Sequence, residues 1–355
     1  MIMNKIYKDL MNLAGISGHE HYVRNYMKTY IEKNGSNYEI KQDNLGSLFA
    51  VKKSKNPQAK TVMVAGHMDE VGFVVAKILE NGLIALQNIG GLAGEVFVSQ
   101  VMNVYTKDDK VIKGIIGSIP PHLKKEQKND ISELRLDVGA LSREEVLSWG
   151  IRLGDMVLFE NQFAYTHNQK RVMSKAIDNR FGCGLALEAI KKFNEVELPY
   201  HLIIGATVQE EVGLRGAETA VNLFNPDVFI ALDASPVNDL LDSTSMAALG
   251  NGFLLRMYDP RNIMHKGLMK YFIDLAEKNK IKYQHFVSMG GTDAAKALDL
   301  NEGVLATTIG LPSRYIHSTI AMMEISDLEN ARKMLFTVLK KINNEKIDLI
   351  KEENK

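Results

Sequence analysis

The stretch Gly205-Ala206-Thr207-Val208-Gln209-Glu210-Glu211-Val212-Gly213-Leu214-Arg215-Gly216-Ala217 constrains this chain more than any other. The apolar run His201-Leu202-Ile203-Ile204 predicts a buried strand that drives into two neighbouring acids. A glycine-bounded turn and a small-residue helix start come next. Two adjacent carboxylates at the mouth of a buried strand lose hydration, which is costly without a cation or a donor close by. An exposed turn with two solvated acids is the competing explanation. It loses ground because several other predicted strands also end in residue types that bind divalent metals.

The 355 residues suggest two domains, or one large domain with an insertion. Lys+Arg and Asp+Glu are equal at 43 each, so no global field favours nucleic acid or an anionic membrane. One cysteine, Cys183, excludes an internal disulfide and fits a reducing, cytoplasmic location. The charged amphipathic start is not the apolar core of a signal peptide, and no apolar run approaches the ~20 residues of a membrane span.

The first predicted helix carries Ile6, Leu10 and Leu13 on one face. Ser17-Gly18-His19-Glu20 has the pattern of a capping box, opening a helix with Val23, Met27, Tyr30 and Ile31 on one stripe. Strands are predicted at Leu45–Lys52 and Thr61–Gly66. From Val71 to Thr166 short β-type runs alternate with turns, the pattern of a small barrel or sandwich set into an α/β chain. Inside it Pro120–Asp130 is expected to be a mobile loop. The α/β alternation resumes at Ala176, with Gly182, Gly184 and Ala186 giving one helix a close-packing face. Ser326-Asp327-Leu328-Glu329 matches a second capping box, and the chain ends in a charged tail. The expected fold is α/β, a sheet covered by helices on both faces. Residues 1–70 and 167–355 form its catalytic unit and 71–166 the β-rich insert.

Open α/β sheets bind ligands beyond the carboxyl ends of their strands. There the pattern delivers His67, Asp233, the Glu210-Glu211 pair and His317, with Asp178 at a helix start. Two imidazoles and three carboxylates suit a pair of Zn²⁺, Co²⁺ or Mn²⁺ ions. Two such cations repel unless a carboxylate bridges them, and Asp178 can present both oxygens. Of Glu210 and Glu211, one completes the metal shell and the other is free to act as a general base. Asp69, two residues past His67, can hold the other imidazole nitrogen.

At these residues the chain resembles the M42 peptidases, the dinuclear-metal glutamyl aminopeptidase/TET group. The similarity lies in Ala65-Gly66-His67-Met68-Asp69-Glu70-Val71-Gly72-Phe73, Lys175-Ala176-Ile177-Asp178-Asn179-Arg180, Thr207 to Ala217, Gly290-Gly291-Thr292-Asp293-Ala294 and Arg314-Tyr315-Ile316-His317-Ser318. The resemblance implies that His67 and Asp233 bind one ion, Glu211 and His317 the other, and that Asp178 bridges. It implies Glu210 as general base and Asp69 behind His67. It also implies a fold of the phosphorylase/hydrolase-like, zinc-peptidase type, peptide substrates, an insert that dimerises, and assembly of dimers into a tetrahedral dodecamer.

Arg256 lies in the apolar run Leu254–Pro260 and needs an anionic partner. It is expected to bind an acidic first side chain of the substrate, the alternative being an internal salt bridge. Three other functions remain in view. An M20-type acylase or carboxypeptidase carries its extra domain later in the chain. A glycoside hydrolase using Glu210 and Glu211 would need them farther apart, about 5–9.5 Å across a bond. A non-catalytic oligomeric particle would retain the residues without the activity.

Overall fold

The computed structural model describes residues 3–119, 121–123 and 130–353. Most of the loop expected to be mobile, residues 120 and 124–129, lies outside them. Val/Ile/Leu-rich runs too short for helices give the centre of the molecule four parallel strands. In spatial order these are His201–Thr207, Thr61–His67, Val228–Pro236 and Leu305–Arg314. Antiparallel strands extend both sides: Leu48–Lys52 and Glu39–Gln42 on one, Ala321–Glu324, Arg171–Ser174 and Ala164–Tyr165 on the other. Phe253–Asp259 also pairs with Leu305–Arg314 and carries the parallel strand Tyr283–Val287.

The period-two alternation along the strands sends side chains to both faces, and helices cover each. Val62, Val64, Leu202, Ile204 and Ile230 join a core with helices Lys5–Asn12, His21–Asn34, Ile177–Phe193 and Ile325–Lys341. Met63, Ala65, Ile203 and Phe229 pack on the other face against Ala220 and Val221 of helix Arg215–Phe224 and Ala294 and Ala297 of helix Asp293–Leu298.

Six antiparallel strands between Gly72 and Phe159 close into a small barrel with its own core, where Phe73 meets Phe97 edge to face at 4.9 Å. One of its strands, Arg135–Asp137, is too short to show a sequence period, and the barrel unit also holds a short helix at Arg143–Ser148. Among the described residues no helix is long and apolar enough to cross a membrane.

Three local expectations are corrected. Helix His21–Asn34 starts without a side-chain cap: Ser17 Oγ donates to Asp69 Oδ2 at 2.6 Å, and Glu20 accepts from Gly18 N and Gln209 N. The helix beginning at Ile325 follows directly from strand Ala321–Glu324, and Asp327 accepts from Gly250 N and Gly252 N at 2.7 and 2.8 Å. In the first case distant partners claim the side chains that a capping box would use locally; in the second the helix already starts at Ile325, so Ser326 lies inside it rather than at its cap. The charged tail contains helix Asn344–Glu352, capped by Asn343 and anchored by buried Ile347 and Ile350.

One contact sets the height of helix Ile177–Phe193 over the sheet. A Cβ on Gly182 would lie 2.4 Å from Leu232 O, and one on Gly66 would lie 2.7 Å from Gly182 C. Backbone therefore meets backbone here, and Asn179 Nδ2 secures the approach by donating to Leu232 O at 2.7 Å. Gly182→Ala is expected to destabilise the fold by about 1–3 kcal/mol through overpacking, read by urea unfolding. Stability equal to the unaltered protein would show that the helix can lift without cost.

Candidate active site

The side chains named from the sequence converge at the carboxyl ends of the parallel strands. His67 is the last residue of its strand, and Asp233 lies where its strand pairs with Gly310. Glu210 and Glu211 follow Thr207 by three and four residues, and His317 follows Arg314 by three. Asp178 enters from the start of the close-packed helix, where its own backbone and that of Asn179 are not helical. Together with Arg256, Gly290 and Gly291 they line a cavity of about 330 Å³.

Asp178 lies between the two imidazoles. Its Oδ1 is 3.2 Å from His67 Nε2 and its Oδ2 is 3.6 Å from His317 Nε2. Asp233 Oδ1 is 3.6 Å and Glu210 Oε2 3.8 Å from His67 Nε2, while Glu211 Oε2 is 3.3 Å from His317 Nε2. Among the described residues, two groups could hold a metal by proximity alone: His67, Asp178 and Glu211, and His67, Glu210 and Asp233. The residues fit a cation on a further ground. Asp178 Oδ1 is buried with no hydrogen-bond donor, an arrangement that leaves a carboxylate oxygen uncompensated unless a metal takes it.

Asp69 differs from its expected role. His67 Nδ1 meets the Asp69 carbonyl at 3.0 Å, closer than the Asp69 carboxylate at 3.4 Å. That carboxylate accepts from the backbone N–H groups of Glu210 and Glu211, both at 3.1 Å, as well as from Ser17. The reason is that the strand ends at His67, two residues before Asp69, so the period-two relation does not extend to it. Arg256 is buried and faces the cavity while donating to Gly290 O at 2.8 Å and Ser235 Oγ at 2.7 Å. Asp259 Oδ2 is 3.6 Å from its Nη1, so an internal charge partner is present too.

A family model described as M42 glutamyl aminopeptidase matches residues 46–334. The chain belongs to the M42 family. It is 39% identical to the glutamyl aminopeptidase of Lactococcus lactis subsp. cremoris, over 97% of this chain and 98% of that one. Among solved structures it is similar to the TET aminopeptidase of Thaumarchaeota archaeon SCGC AB-539-E09, with a TM-score of 0.92, 32% identity and coverage of 98% and 99% of the two chains. It is also similar to Pyrococcus horikoshii TET1 peptidase, which can assemble into a tetrahedron or a large octahedral shell. That match has a TM-score of 0.85, 30% identity and coverage of 95% and 99%. M42 aminopeptidases are metal-dependent hydrolases, and this M42 chain carries acidic and histidine groups able to bind metal.

Electrostatics in this M42 site point the same way. Burial, reinforced by Asp178, pushes Glu211 up to about 8. Burial also raises Glu210 and Asp233, each further raised by neighbouring carboxylates. Burial would lower the two histidines, but the surrounding carboxylates outweigh it, raising His67 and taking His317 to about 9. Asp178 moves the opposite way: burial alone would raise it, and the neighbouring His317 and His67 imidazoles lower it. Without metal, then, the cluster keeps protons to offset its own negative charge.

A second buried cluster escaped the sequence analysis. Lys175 Nζ donates to both Glu70 oxygens at 2.6 and 2.8 Å and to Leu13 O at 2.8 Å; Arg180 donates to Glu70 at 3.0 Å and to Gly15 O at 3.2 Å. These ion pairs tie the segment after Asp69 to both sides of Asp178. Their partners lie more than a hundred positions apart, which leaves no local pattern to find. Asp293, in the Gly290–Ala294 stretch, is buried and accepts from Thr207 Oγ1, and burial pushes it up to about 7.

The raised groups set a sign for stability. A group whose folded pKa exceeds its unfolded value contributes fully below the unfolded pKa, and that contribution is lost as pH rises through the folded one. Glu211 covers the window from 4.5 to about 8 and His317 from 6.5 to about 9. The chelated protein is therefore expected to melt at progressively lower temperature from acid to mildly alkaline pH, and added divalent metal should remove most of the trend. A metal-free melting temperature that rises over that window would contradict the charge balance described.

Proposed function

We propose that this chain is a dinuclear, metal-dependent aminopeptidase that removes N-terminal residues from peptides and prefers acidic ones. The observation that carries the proposal is one carboxylate, Asp178, whose two oxygens face different imidazoles at 3.2 and 3.6 Å. That is the arrangement a bridge between two cations needs. His67 and Asp233 would hold one ion, Glu211 and His317 the other. Mixed imidazole and carboxylate donors suit Zn²⁺ or Co²⁺, with Mn²⁺ also accommodated. When bound, the pair supplies Lewis acidity that acidifies water and polarises the scissile carbonyl.

In this proposal Glu210 accepts the water's proton and returns it to the leaving amine. It is the acid left over once Glu211 is matched to His317. Asp69 holds the backbone of both glutamates and Ser17 holds Asp69, so the base is delivered by a hydrogen-bonded chain rather than by its own flexible stem. Arg256 would meet the substrate's acidic side chain at the cavity wall, supported by the name of the Lactococcus relative.

We further propose that residues 71–166 are a dimerisation domain set into a catalytic domain of residues 1–70 and 167–355, the latter phosphorylase/hydrolase-like. Dimers would build a tetrahedral dodecamer, a proposal supported by the Pyrococcus horikoshii neighbour's assembly. A cytoplasmic location is supported by the single buried cysteine. The acylase, glycosidase and non-catalytic readings are not favoured, since the family model and the curated relatives are named aminopeptidases.

Glu210→Gln is expected to keep the metal content of the unaltered protein while peptide turnover falls by about 10²–10⁴-fold. Unchanged turnover would remove Glu210 as the base, and loss of an ion would make it a ligand instead. Hydrolysis of Glu-, Asp- and Leu-anilides tests the preference. Arg256→Met should cut the Glu and Asp substrates and spare Leu, whereas equal losses on all three would leave Arg256 with only its internal partners.

A further inference from the structure

We infer that the barrel contributes a positioning element to one of the two cation sites, the corner from Asn88 to Gly91, whose Gly91 carbonyl holds the His317 ring. The inference rests on the proposed reading of His317 and Glu211 as ligands of one ion.

His317 Nδ1 is 2.9 Å from Gly91 O. A carbonyl only accepts, so Nδ1 carries a hydrogen, and Nε2 is the nitrogen a cation would take in place of a proton. That Nε2 is the atom 3.3 Å from Glu211 Oε2 and 3.6 Å from Asp178 Oδ2. His317 has a left-handed backbone (φ 58°) beyond the last residue of its strand, and its side chain is 39% exposed against 2% for His67. Its ring is therefore aimed by a hydrogen bond rather than by close packing.

The corner is built to present that carbonyl. It follows barrel strand Ile84–Ile89, and Asn88 Nδ2 donates to Gly90 O at 2.8 Å. Gly90 has φ +83°, and a Cβ there would lie 2.7 Å from Val71 Cγ1 and 3.3 Å from Glu211 Cβ. The same corner thus lies against Glu211 and bonds His317, the two side chains that share one ion. His67, on the other side of Asp178, takes its Nδ1 partner from Asp69 O in its own segment. One cation site is set within the sheet, and the other is completed from the barrel. Asn88 and Gly90 act here as positioning residues; neither touches substrate.

The test strips the full-length protein with chelator and titrates it with Co²⁺ alone, followed by calorimetry and by cobalt absorbance. Asn88→Ala and Gly90→Ala are each expected to bind the first ion as the unaltered protein does and the second about ten- to a hundredfold more weakly. ¹⁵N-histidine spectra of the cobalt-free zinc form should show a fixed Nδ1–H on His317 that Asn88→Ala loosens. A merely structural role would lower the metal-free melting temperature and weaken both ions together, and that result overturns the inference. So does second-ion binding as tight as in the unaltered protein while His317→Ala loses that ion. If His317→Ala still binds both ions, the ligand reading itself falls, and the inference with it. Should Gly90→Ala fold poorly, Asn88→Ala decides.

Discussion

Buried carboxylates repel one another, and this molecule gathers Asp178, Glu210, Glu211 and Asp233 around two imidazoles at the end of a hydrophobic sheet. In a medium that screens poorly, such a group holds together only by retaining protons or by capturing cations. The raised carboxyl groups and histidines describe the first option. The orphaned Asp178 Oδ1 describes the second. Much of the surrounding architecture makes sense as the means of forcing these charges into proximity.

That forcing works through backbone rather than side-chain bulk. The register of the parallel strands, with Thr207 beside His67 and Ala231 beside Ala65, sets His67, Asp233 and the Glu210-Glu211 turn side by side. Gly66 and Gly182 let the helix carrying Asp178 descend onto the strands. Around the site, neutral and ionic bonds restrain what the sheet does not. Ser17 and Asp69 fix the glutamate turn, and the Glu70–Lys175–Arg180 pairs bind the chain on either side of Asp178. Breaking one partner of a buried ion pair leaves the other uncompensated, which gives those residues leverage over the site without contact with substrate.

The chemistry-bearing residues were legible in the sequence because each follows an apolar run that stops abruptly, as Thr61–His67 and Val228–Asp233 do. The β-rich insert was legible from its turns, although Arg135–Asp137 was too short to register and the terminal helix Asn344–Glu352 hid in a charged tail. Ser17 and Glu20 misled because a capping pattern is local, whereas their hydrogen bonds run to Asp69 and Gln209; Ser326 misled because its helix already begins at Ile325. Asp69 does meet His67 Nδ1, but nearer with its carbonyl than with its carboxylate, since a period holds only while the strand lasts.

By itself, then, the order of residues determined the class of fold, the M42 resemblance and the set of side chains able to meet a metal, since all three rest on local alternation and short motifs. Only the tertiary structure decided which oxygen of Asp178 faces which imidazole, what restrains Glu210, where Arg256 finds its internal partners, and that a barrel carbonyl aims His317. Those relations join segments far apart in the chain, and distance along a polypeptide carries no information about direction in space until the strands and helices have packed.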